Sequence, residues 1–329
     1  MKYLVTGGSG FVGSHMIDYL LTKSKDSNIF VIKRWRSSDK NISHLYNNKR
    51  VVFIEADLLD RGSINRAVQI SRPDVVYHFA SESFPQASFI YPVKTLETNV
   101  VGTTNLLEEL RIARDLSICN PMIISVSSSE VYGDPLPEEV PIKESNPIRA
   151  ANPYSISKVG HDLISQYYQK AFDMKIVITR LFSHEGKRRG REFALSSFAY
   201  QIVQHELSRN TSPFVIKVGN LQSVRTYFHI DDAIKAYYLL QDEKHTGEIY
   251  NIGGSFSCTV GDALNRLFDL SIIPKEDFLI EEDPERVRPT DITLQIPDCS
   301  KFISRTNWRA EKTLDDILTD LLDYWRTLR

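Results

Sequence analysis

The chain has 329 residues, of which 42% are hydrophobic and 25% charged, and its formal net charge is −2 at pH 7. This length fits one large domain or two closely joined ones. The near-neutral charge excludes a general attraction to nucleic acid or to anionic membranes, and no apolar run reaches membrane-spanning length. Three scattered cysteines and an early glycine-rich start predict a cytoplasmic protein with no signal peptide, disulfide framework or metal site.

A strand, a glycine-rich turn and a helix open the chain. Tyr3–Thr6 is a short apolar strand, and Gly7, Gly10 and Gly13 follow with the spacing GxxGxxG before an amphipathic run. Glycines at these positions let the backbone approach a pyrophosphate and let the helix pack on the strand. The pattern predicts a dinucleotide-binding unit, with a plain tight turn as the alternative.

Basic residues follow the second predicted strand, Asn28–Ile32. An NAD site favours an acidic side chain at this point for the ribose 2′-hydroxyl, whereas arginine suits a 2′-phosphate. Arg34 and Arg36 therefore favour NADP, and the alternative is a solvated basic loop. After the third strand, Val51–Ile54, Asp57 is a candidate for hydrogen bonding an adenine amino group.

Polar residues also follow two later strands. Val75–Phe79 leads into Ala80–Ser83, which we expect to pass beside the dinucleotide. The apolar run Met122–Val126 leads into Ser128 and Glu130. Open α/β sheets bind ligands at the carboxyl ends of their strands, so these two side chains are candidates for chemistry.

Tyr154 and Lys158 lie four residues apart in a predicted helix that runs to about Phe172, so they share a face. A free tyrosine has a pKa near ~10, and to act as a base at neutral pH it needs a shift of roughly three units. A cation one turn away and an oxidised nicotinamide are partners that supply such a shift. A half-buried helical tyrosine is the alternative, which the neighbouring motifs disfavour.

Alternating strands and helices up to the strand Lys175–Leu181 predict an α/β fold, a doubly wound parallel (Rossmann) sheet with a smaller C-terminal α/β domain. We expect residues 1–182 to form the dinucleotide-binding domain, with 219–252 returning in part to it. Residues 183–329 then form the substrate-binding domain. Between the fourth and fifth strands, Val93 to Arg114 reads as one long helix, with Asn99 among its apolar positions.

As an ensemble the chain resembles the extended short-chain dehydrogenase/reductase family, in the branch that acts on nucleotide sugars. The segments that carry this resemblance are TGGSGFVGS at Thr6–Ser14, Asp57-Leu58, TNVVGTTNLL at Thr98–Leu107, SSSEVYG at 127–133, NPYSISK at Asn152–Lys158, GNL at 219–221 with Arg225, and RPTD at Arg288–Asp291. Ser183–Gly190 and the segment at 35–38 resemble those of GDP-mannose 4,6-dehydratases.

The resemblance implies that Tyr154 is the base for sugar oxidation and that Lys158 assists it and holds the nicotinamide ribose. It places Ser128 at the catalytic hydroxyl and Glu130 at the second base. The cofactor candidates, from motif and resemblance together, are Gly7, Gly10, Phe11, Val12, Gly13, Arg34, Arg36, Asp57, Leu58, Ala80, Ser81, Tyr154, Lys158 and Arg189. Arg188 and Arg189 match a loop that, in the dehydratases, reaches toward the NADP site of the neighbouring subunit. The substrate candidates are Ser83, Glu130, Ser183, His184, Asn220, Arg225 and Arg288, the last two for the diphosphate.

We therefore expect a GDP-sugar 4,6-dehydratase that uses NADP on GDP-mannose or a GDP-manno-heptose. The chain departs from the dehydratase pattern in three places. Ser128 stands where the dehydratases usually have threonine, and Ser183 where asparagine is common. Ser196-Ser197-Phe198 stands where GDP-mannose dehydratases have Arg-Lys-Ile. A 4-reductase, 4-dehydrogenase or 4-epimerase of the same family is thus the alternative, and a non-catalytic NADP-binding regulator is the alternative of another class. His184 is equally a structural histidine, and Arg188, Arg189 and Arg191 are equally a solvated face.

Two helices carry more apolar residues than one buried stripe needs. These residues are Val101, Leu106 and Ile112 on the long helix, and Tyr167 and Tyr168 on the tyrosine helix. Pairing both helices with their copies across a two-fold axis buries this surface in a four-helix bundle, and the resemblance implies the same homodimer. The loop Lys187–Arg191 extends the assembly to a homotetramer if it reaches a neighbour's cofactor.

Overall fold

The computed structural model describes residues 1–208 and 213–328. Its strands are β1 (Lys2–Thr6), β2 (Asn28–Lys33), β3 (Val51–Glu55), β4 (Val75–His78), β5 (Met122–Val126), β6 (Ile176–Leu181), β7 (Ser183–Glu185), β8 (Phe214–Val218), β9 (Val224–His229), β10 (Ile249–Ile252), β11 (Phe256–Thr259), β12 (Phe278–Glu282) and β13 (Leu294–Gln295). Its helices are α1 (Phe11–Lys23), α2 (Arg61–Ser71), α3 (Pro85–Ile90), α4 (Pro92–Leu96), α5 (Gly102–Asp115), α6 (Pro153–Phe172), α7 (Ala194–Leu207), α8 (Ile230–Leu239), α9 (Val260–Leu270), α10 (Ser300–Thr306) and α11 (Leu314–Thr327). Among the described residues, no helix has both the length and the apolar character that crossing a bilayer requires.

Seven strands form the main sheet, in the order β10-β6-β5-β4-β1-β2-β3. The pairings among β1 to β6 are parallel. Every residue of β4 and β6 is buried. This is expected of parallel strands that helices cover on both faces, and it explains why such strands are continuous apolar runs in the sequence. The order on either side of β1 is that of a doubly wound Rossmann sheet, so the predicted fold class is confirmed.

Two compact units divide the chain. The first comprises residues 1–133, 147–181 and 234–251. Its core lies between the sheet and helices α2, α5 and α6, where Leu4, Ile54, Ile64, Leu107 and Ile123 are at most 5% exposed. This burial of apolar surface is the main stabilising contribution to the unit.

Two local features of the first unit go beyond what the sequence patterns predicted. The β2–β3 connection contains only a 3₁₀ turn, Ser43–Leu45, because the polar stretch from Arg34 to Arg50 lacks an apolar helical stripe. The long helix is a continuous helical path from Pro92 to Asp115, but it contains a π turn at Glu97–Val101. Such turns are rare and frequently mark functional sites.

The second unit comprises residues 134–146, 182–233 and 252–328. It contains a four-stranded sheet of β11, β9, β13 and β7, and a separate pair of β8 and β12. Helices α7, α9 and α11 surround its apolar cluster. The segment 134–146, which we expected with the first domain, belongs here, and Ile142 is fixed by backbone hydrogen bonds with Ile296 and Asp298. Of the stretch 219–252, which we expected to return in part to the first domain, residues 219–233 lie here and 234–251 in the first unit.

Candidate active site

The glycine-rich turn between β1 and α1 leaves an open cradle. Gly7 has φ +68°, and a Cβ there would lie 2.7 Å from the Ala80 nitrogen; a Cβ on Gly13 would overlap the Gly7 carbonyl. Gly10 is the N-cap of α1 without a side chain, and a Cβ on it would meet only the Gly7 oxygen at 3.2 Å. The amino end of α1 therefore leaves its backbone N–H groups open to the approach of a phosphate, which is the geometry that a dinucleotide site requires.

The segments beside this cradle carry the predicted cofactor contacts. Arg34 is 55% exposed and lies 3.6 Å from the Glu82 carboxylate, and the Arg36 guanidinium stacks 4.6 Å from the Trp35 ring centre. Asn41 donates to the Ser9 carbonyl at 3.2 Å, which ties this basic loop to the glycine turn. The loop thus follows β2 at the sheet edge where a Rossmann fold holds the adenosine ribose.

Asp57 and Leu58 have local structural contacts. The Asp57 carboxylate accepts a hydrogen bond from the Leu59 nitrogen at 2.9 Å, and Leu58 is buried against Gly102. Hydrogen bonding of adenine by Asp57 stays a prediction.

Ser128 and Glu130 lie just beyond the end of β5. Ser128 is 9% exposed, and its Oγ accepts the Glu130 N–H at 3.2 Å, which begins a 3₁₀ turn. The Glu130 Oε2 accepts a hydrogen bond from Asn152 Nδ2 at 3.1 Å. Asn152 is also the N-cap of α6, because its Oδ1 accepts the Ser155 N–H at 2.8 Å. One side chain therefore joins the carboxylate to the amino end of the tyrosine helix.

Tyr154 and Lys158 occupy the first turns of α6 and are 8% and 3% exposed. The Lys158 Nζ donates to the Val126 carbonyl at 2.5 Å, and the Ser127 Oγ donates to the Lys158 carbonyl at 3.5 Å. Burial lowers the pKa of Lys158 to about 7, against a smaller opposing effect of Asp162. The four predicted catalytic residues are thus brought together where β5 ends and α6 begins.

Asn99 is a site residue that the sequence analysis did not assign. It is fully buried in the π turn, and its Nδ2 donates to the Glu82 carbonyl at 3.0 Å and to Ser157 Oγ at 2.8 Å. Its Oδ1 accepts from Ser81 Oγ at 2.9 Å and from the Glu82 nitrogen at 2.8 Å. The available sequence signal was a polar residue on the apolar face of a predicted helix.

In the second unit, Asp291 gathers three predicted substrate residues. Its carboxylate accepts from Asn220 Nδ2 at 2.8 Å and lies 3.8 Å from Arg225 and 4.0 Å from Arg288. Two arginines beside one acid form a cluster of net positive charge, and arginine is a residue type that binds anionic groups. Diphosphate binding at this cluster stays a prediction.

The remaining substrate candidates belong to both units. Ser83 is exposed and follows β4 in the first unit, whereas Ser183 and His184 lie on β7 of the second, where His184 Nδ1 is 3.0 Å from the Phe182 carbonyl. Arg189 lies 3.4 Å from the buried Glu185 carboxylate, and its guanidinium stacks on Phe193. Burial raises the pKa of Glu185, with Arg189 opposing the shift. These intramolecular contacts occupy the arginine that we predicted for a neighbour's cofactor.

A glycine cradle on a doubly wound sheet, with serine, tyrosine and lysine at the end of its fifth strand, defines a short-chain dehydrogenase/reductase of the extended type. The family model for GDP-mannose 4,6 dehydratase matches residues 4–321. The chain therefore belongs to this family of nucleotide-sugar 4,6-dehydratases.

Known proteins of this kind match the chain along its whole length. A dTDP-glucose 4,6-dehydratase from Haemophilus influenzae is 27% identical over 337 residues, covering 99% of this chain and 98% of the relative. The structure of DesIV, a dTDP-glucose 4,6-dehydratase from Streptomyces venezuelae with NAD, is 26% identical with a TM-score of 0.86, covering 100% and 98%. A UDP-glucuronic acid 4-epimerase from Bacillus cereus with UDP-glucuronic acid and NAD is 25% identical with a TM-score of 0.84, covering all of both chains.

Proposed function

We propose that this protein is a nucleotide-sugar 4,6-dehydratase that converts GDP-mannose or a GDP-manno-heptose into the 4-keto-6-deoxy sugar. The observation that carries the proposal is the Glu130 carboxylate, which Asn152 holds at the amino end of the helix of Tyr154. Epimerisation or reduction at C4 needs proton transfer at C4 alone, whereas dehydration needs a second base for C5. Glu130 supplies that base.

The reaction divides between Tyr154 and Glu130. A nicotinamide cofactor, when bound, supplies hydride transfer from C4 and back to C6. Tyr154 accepts the C4 hydroxyl proton, Ser128 hydrogen bonds the C4 oxygen, and the Lys158 cation favours the phenolate. The C4 ketone acidifies the C5 proton, which Glu130 removes. Glu130 then returns this proton to the C6 hydroxyl, which leaves as water. C5 takes up a proton in exchange for the one that Tyr154 removed from the C4 hydroxyl, by way of solvent, so that the atoms balance without net oxidation.

Support for the GDP base comes from the family model and from the resemblance of Ser183–Gly190 to GDP-mannose dehydratases. Two of the three relatives named above are dTDP-glucose 4,6-dehydratases, so dTDP-glucose is the necessary comparison substrate. Support for NADP comes from the exposed Arg34 and Arg36 after β2. We further propose a cytoplasmic location, since all three cysteines are free.

Mass spectrometry of the product tests the activity. The pure protein is incubated separately with GDP-mannose, a GDP-heptose and dTDP-glucose. We expect a product lighter than its substrate by one water from a GDP-sugar. Tyr154→Phe should abolish all turnover, and Glu130→Gln should still oxidise C4 but lose no water. Glu138→Gln, which changes an exposed carboxylate in the second unit, is the matched control.

Other outcomes identify the alternatives. A mass change of two hydrogens indicates a 4-dehydrogenase or 4-reductase, and an unchanged mass with inverted stereochemistry indicates a 4-epimerase. Protein that holds a dinucleotide but changes no nucleotide sugar is a regulator. Water loss from dTDP-glucose alone would reject the GDP base while keeping the reaction.

The cofactor has a separate test. Dinucleotide released from denatured protein should be NADP, and Arg34→Ala with Arg36→Ala should weaken NADP binding while leaving NAD binding unchanged. Lys49→Ala, an exposed cation elsewhere in the same loop, is the control. Release of NAD alone, or unchanged NADP affinity in the double variant, would reject the NADP assignment.

A further inference from the structure

A chain of buried hydrogen bonds crosses the first unit beneath the candidate active site. Its members are all at most 1% exposed; they are Thr6, His78, Thr103, His161, Ser125 and Ser165. We call this set the buried histidine chain. Thr6 Oγ1 is 2.8 Å from His78 Nδ1, and Thr103 Oγ1 is 3.0 Å from His78 Nε2 and 2.9 Å from His161 Nδ1. The two imidazole rings stack with centres 5.3 Å apart.

The positions of the protons in this chain follow from Thr103. Its hydroxyl donates its single proton to the Asn99 carbonyl at 2.7 Å, so it must accept from both histidines. His78 is thus protonated on Nε2 and His161 on Nδ1. The other nitrogens then accept, His78 Nδ1 from Thr6 and His161 Nε2 from Ser125 at 2.8 Å. This assignment follows from the network rather than from observed hydrogens.

Both rings are in the neutral form that this assignment requires. Burial, and secondarily the charge of Lys158, lower the pKa of His78 to about 3. The same two causes, in the same order, hold the pKa of His161 well below its usual range. Each ring therefore has one donor and one acceptor, and a buried donor of this kind is costly to leave unpaired.

The buried histidine chain is connected to the candidate site at two points. At one end Thr6 Oγ1 accepts the Ala80 N–H at 3.1 Å, in the loop predicted to pass beside the dinucleotide. In the middle Thr103 binds Asn99, whose amide holds Ser81 and Glu82 of that loop and also Ser157, the neighbour of Lys158.

We propose that His78 and His161 are positioning residues for the reaction: by donating to Thr103 they fix the π turn that presents Asn99, and so hold the 80–82 loop in register with Tyr154 and Lys158. Neither imidazole contacts substrate or cofactor in this role. The inference rests on the proposed dinucleotide site and is independent of which sugar is bound.

Amide substitutions separate positioning from general stability. Asparagine in place of His161 puts an N–H donor near the Nδ1 position, whereas glutamine reaches only the Nε2 position. At His78 the relation is reversed, because the donor to Thr103 is Nε2. A network that merely filled the interior would give no such crossed pattern.

The experiment compares His161→Asn with His161→Gln and His78→Gln with His78→Asn. The readouts are melting temperature, NADP and NAD dissociation constants by calorimetry, and kcat and KM with the active nucleotide sugar. We expect His161→Asn and His78→Gln to retain wild-type dinucleotide affinity and kcat. His161→Gln and His78→Asn should lose roughly tenfold in dinucleotide affinity and in kcat, as expected for one lost buried hydrogen bond, while the KM for the sugar stays unchanged. Equal effects within each pair, or losses that follow melting temperature alone, would overturn the proposal.

Thr103 provides a second set of variants if the histidine variants do not fold. Thr103→Ser keeps the hydroxyl and should bind dinucleotide like the wild type, whereas Thr103→Val should bind it more weakly. Thr104→Val is the matched control, since Thr104 Oγ1 donates to the Val100 carbonyl at 2.8 Å outside the buried histidine chain. Equal binding by Thr103→Val and wild type overturns this inference alone. A wild type that binds neither NADP nor NAD overturns the proposed function as well.

Discussion

Asn152 uses its one amide group for two contacts: Nδ2 donates to the Glu130 carboxylate at 3.1 Å, and Oδ1 accepts the Ser155 N–H at 2.8 Å. The position of the carboxylate is therefore coupled to the amino end of α6, whose second residue is Tyr154. The two groups that we propose to act on adjacent sugar carbons are in this way aligned by a third, to which the proposal gives no chemical step.

Substitution of Asn152 should separate the two half-reactions. Serine and aspartate both retain the helix cap. Serine, however, lacks the Nδ2 donor to Glu130, and aspartate places a second negative charge beside the Glu130 carboxylate. We expect water loss to slow by roughly tenfold in Asn152→Ser and further in Asn152→Asp, with C4 oxidation retained. Single-turnover absorbance of reduced dinucleotide, followed with product mass, measures both steps. Equal slowing of oxidation and dehydration would contradict this coupling.

Lys158→Met should gain stability while losing activity. The pKa of Lys158 falls from 10.5 to about 7 on burial, so the folded protein binds this proton less tightly than the unfolded chain. The resulting penalty is greatest below pH 7, shrinks as the pH rises from 7 to about 10.5, and is absent above it. Methionine removes the charge at similar volume, so the gain in melting temperature should be largest below pH 7. Calorimetry between pH 6 and 10 checks this, and a gain independent of pH would contradict it.

Alanine at two glycines of the first turn should have different effects. Gly7→Ala forces a Cβ against the Ala80 backbone at positive φ, so it should lower the melting temperature. Gly10→Ala meets only one oxygen at 3.2 Å, so the protein should fold but lose dinucleotide affinity, because the new methyl projects where a phosphate approaches. Gly62→Ala in α2 is the control. Wild-type dinucleotide binding by Gly10→Ala would show that the cradle is not the phosphate site.

The predicted dimer depends on an apolar surface of the first unit. Two of the residues expected on this surface are not on it: Leu106 and Tyr168 are 0% and 6% exposed and belong to the core of the first unit. Val101 and Tyr167 are exposed as expected, at 49% and 54%, and Leu163 of α6 adds a third exposed apolar side chain at 52%. Leu163→Asp should convert a dimer into monomers by placing a charge in the four-helix interface. Leu279→Asp, at an equally exposed leucine of the second unit, should leave the mass unchanged. Light scattering decides, and a monomeric wild type would reject the dimer. A stable dimer at high concentration with NADP bound would reject the tetramer.

Local sequence patterns were sufficient to predict the strands of the main sheet, the glycine turn and the placement of Tyr154 and Lys158 on one face of a helix. Each depends on residues within a few positions, where the helix or strand period sets the geometry. The sequence also brought Ser128 and Glu130 to the right edge of the sheet, because the carboxyl ends of parallel strands coincide.

The contacts that complete the site are of long range and were not predictable in this way. Asn99 binds residues 17 and 58 positions away, and Thr103 joins two histidines from different elements. The order of residue types along the chain does not indicate which distant residues will contact each other.

The last strand of the main sheet has a consequence for synthesis on the ribosome. β10 pairs with β6, a strand buried along its whole length, yet it is translated only after two segments of the second unit, 134–146 and 182–233. The nascent chain must therefore display the open edge of β6 until roughly three-quarters of the polypeptide has emerged. We expect this interval to be when the protein most needs a chaperone, and truncations that end before residue 249 to aggregate rather than to yield a free nucleotide-binding fragment.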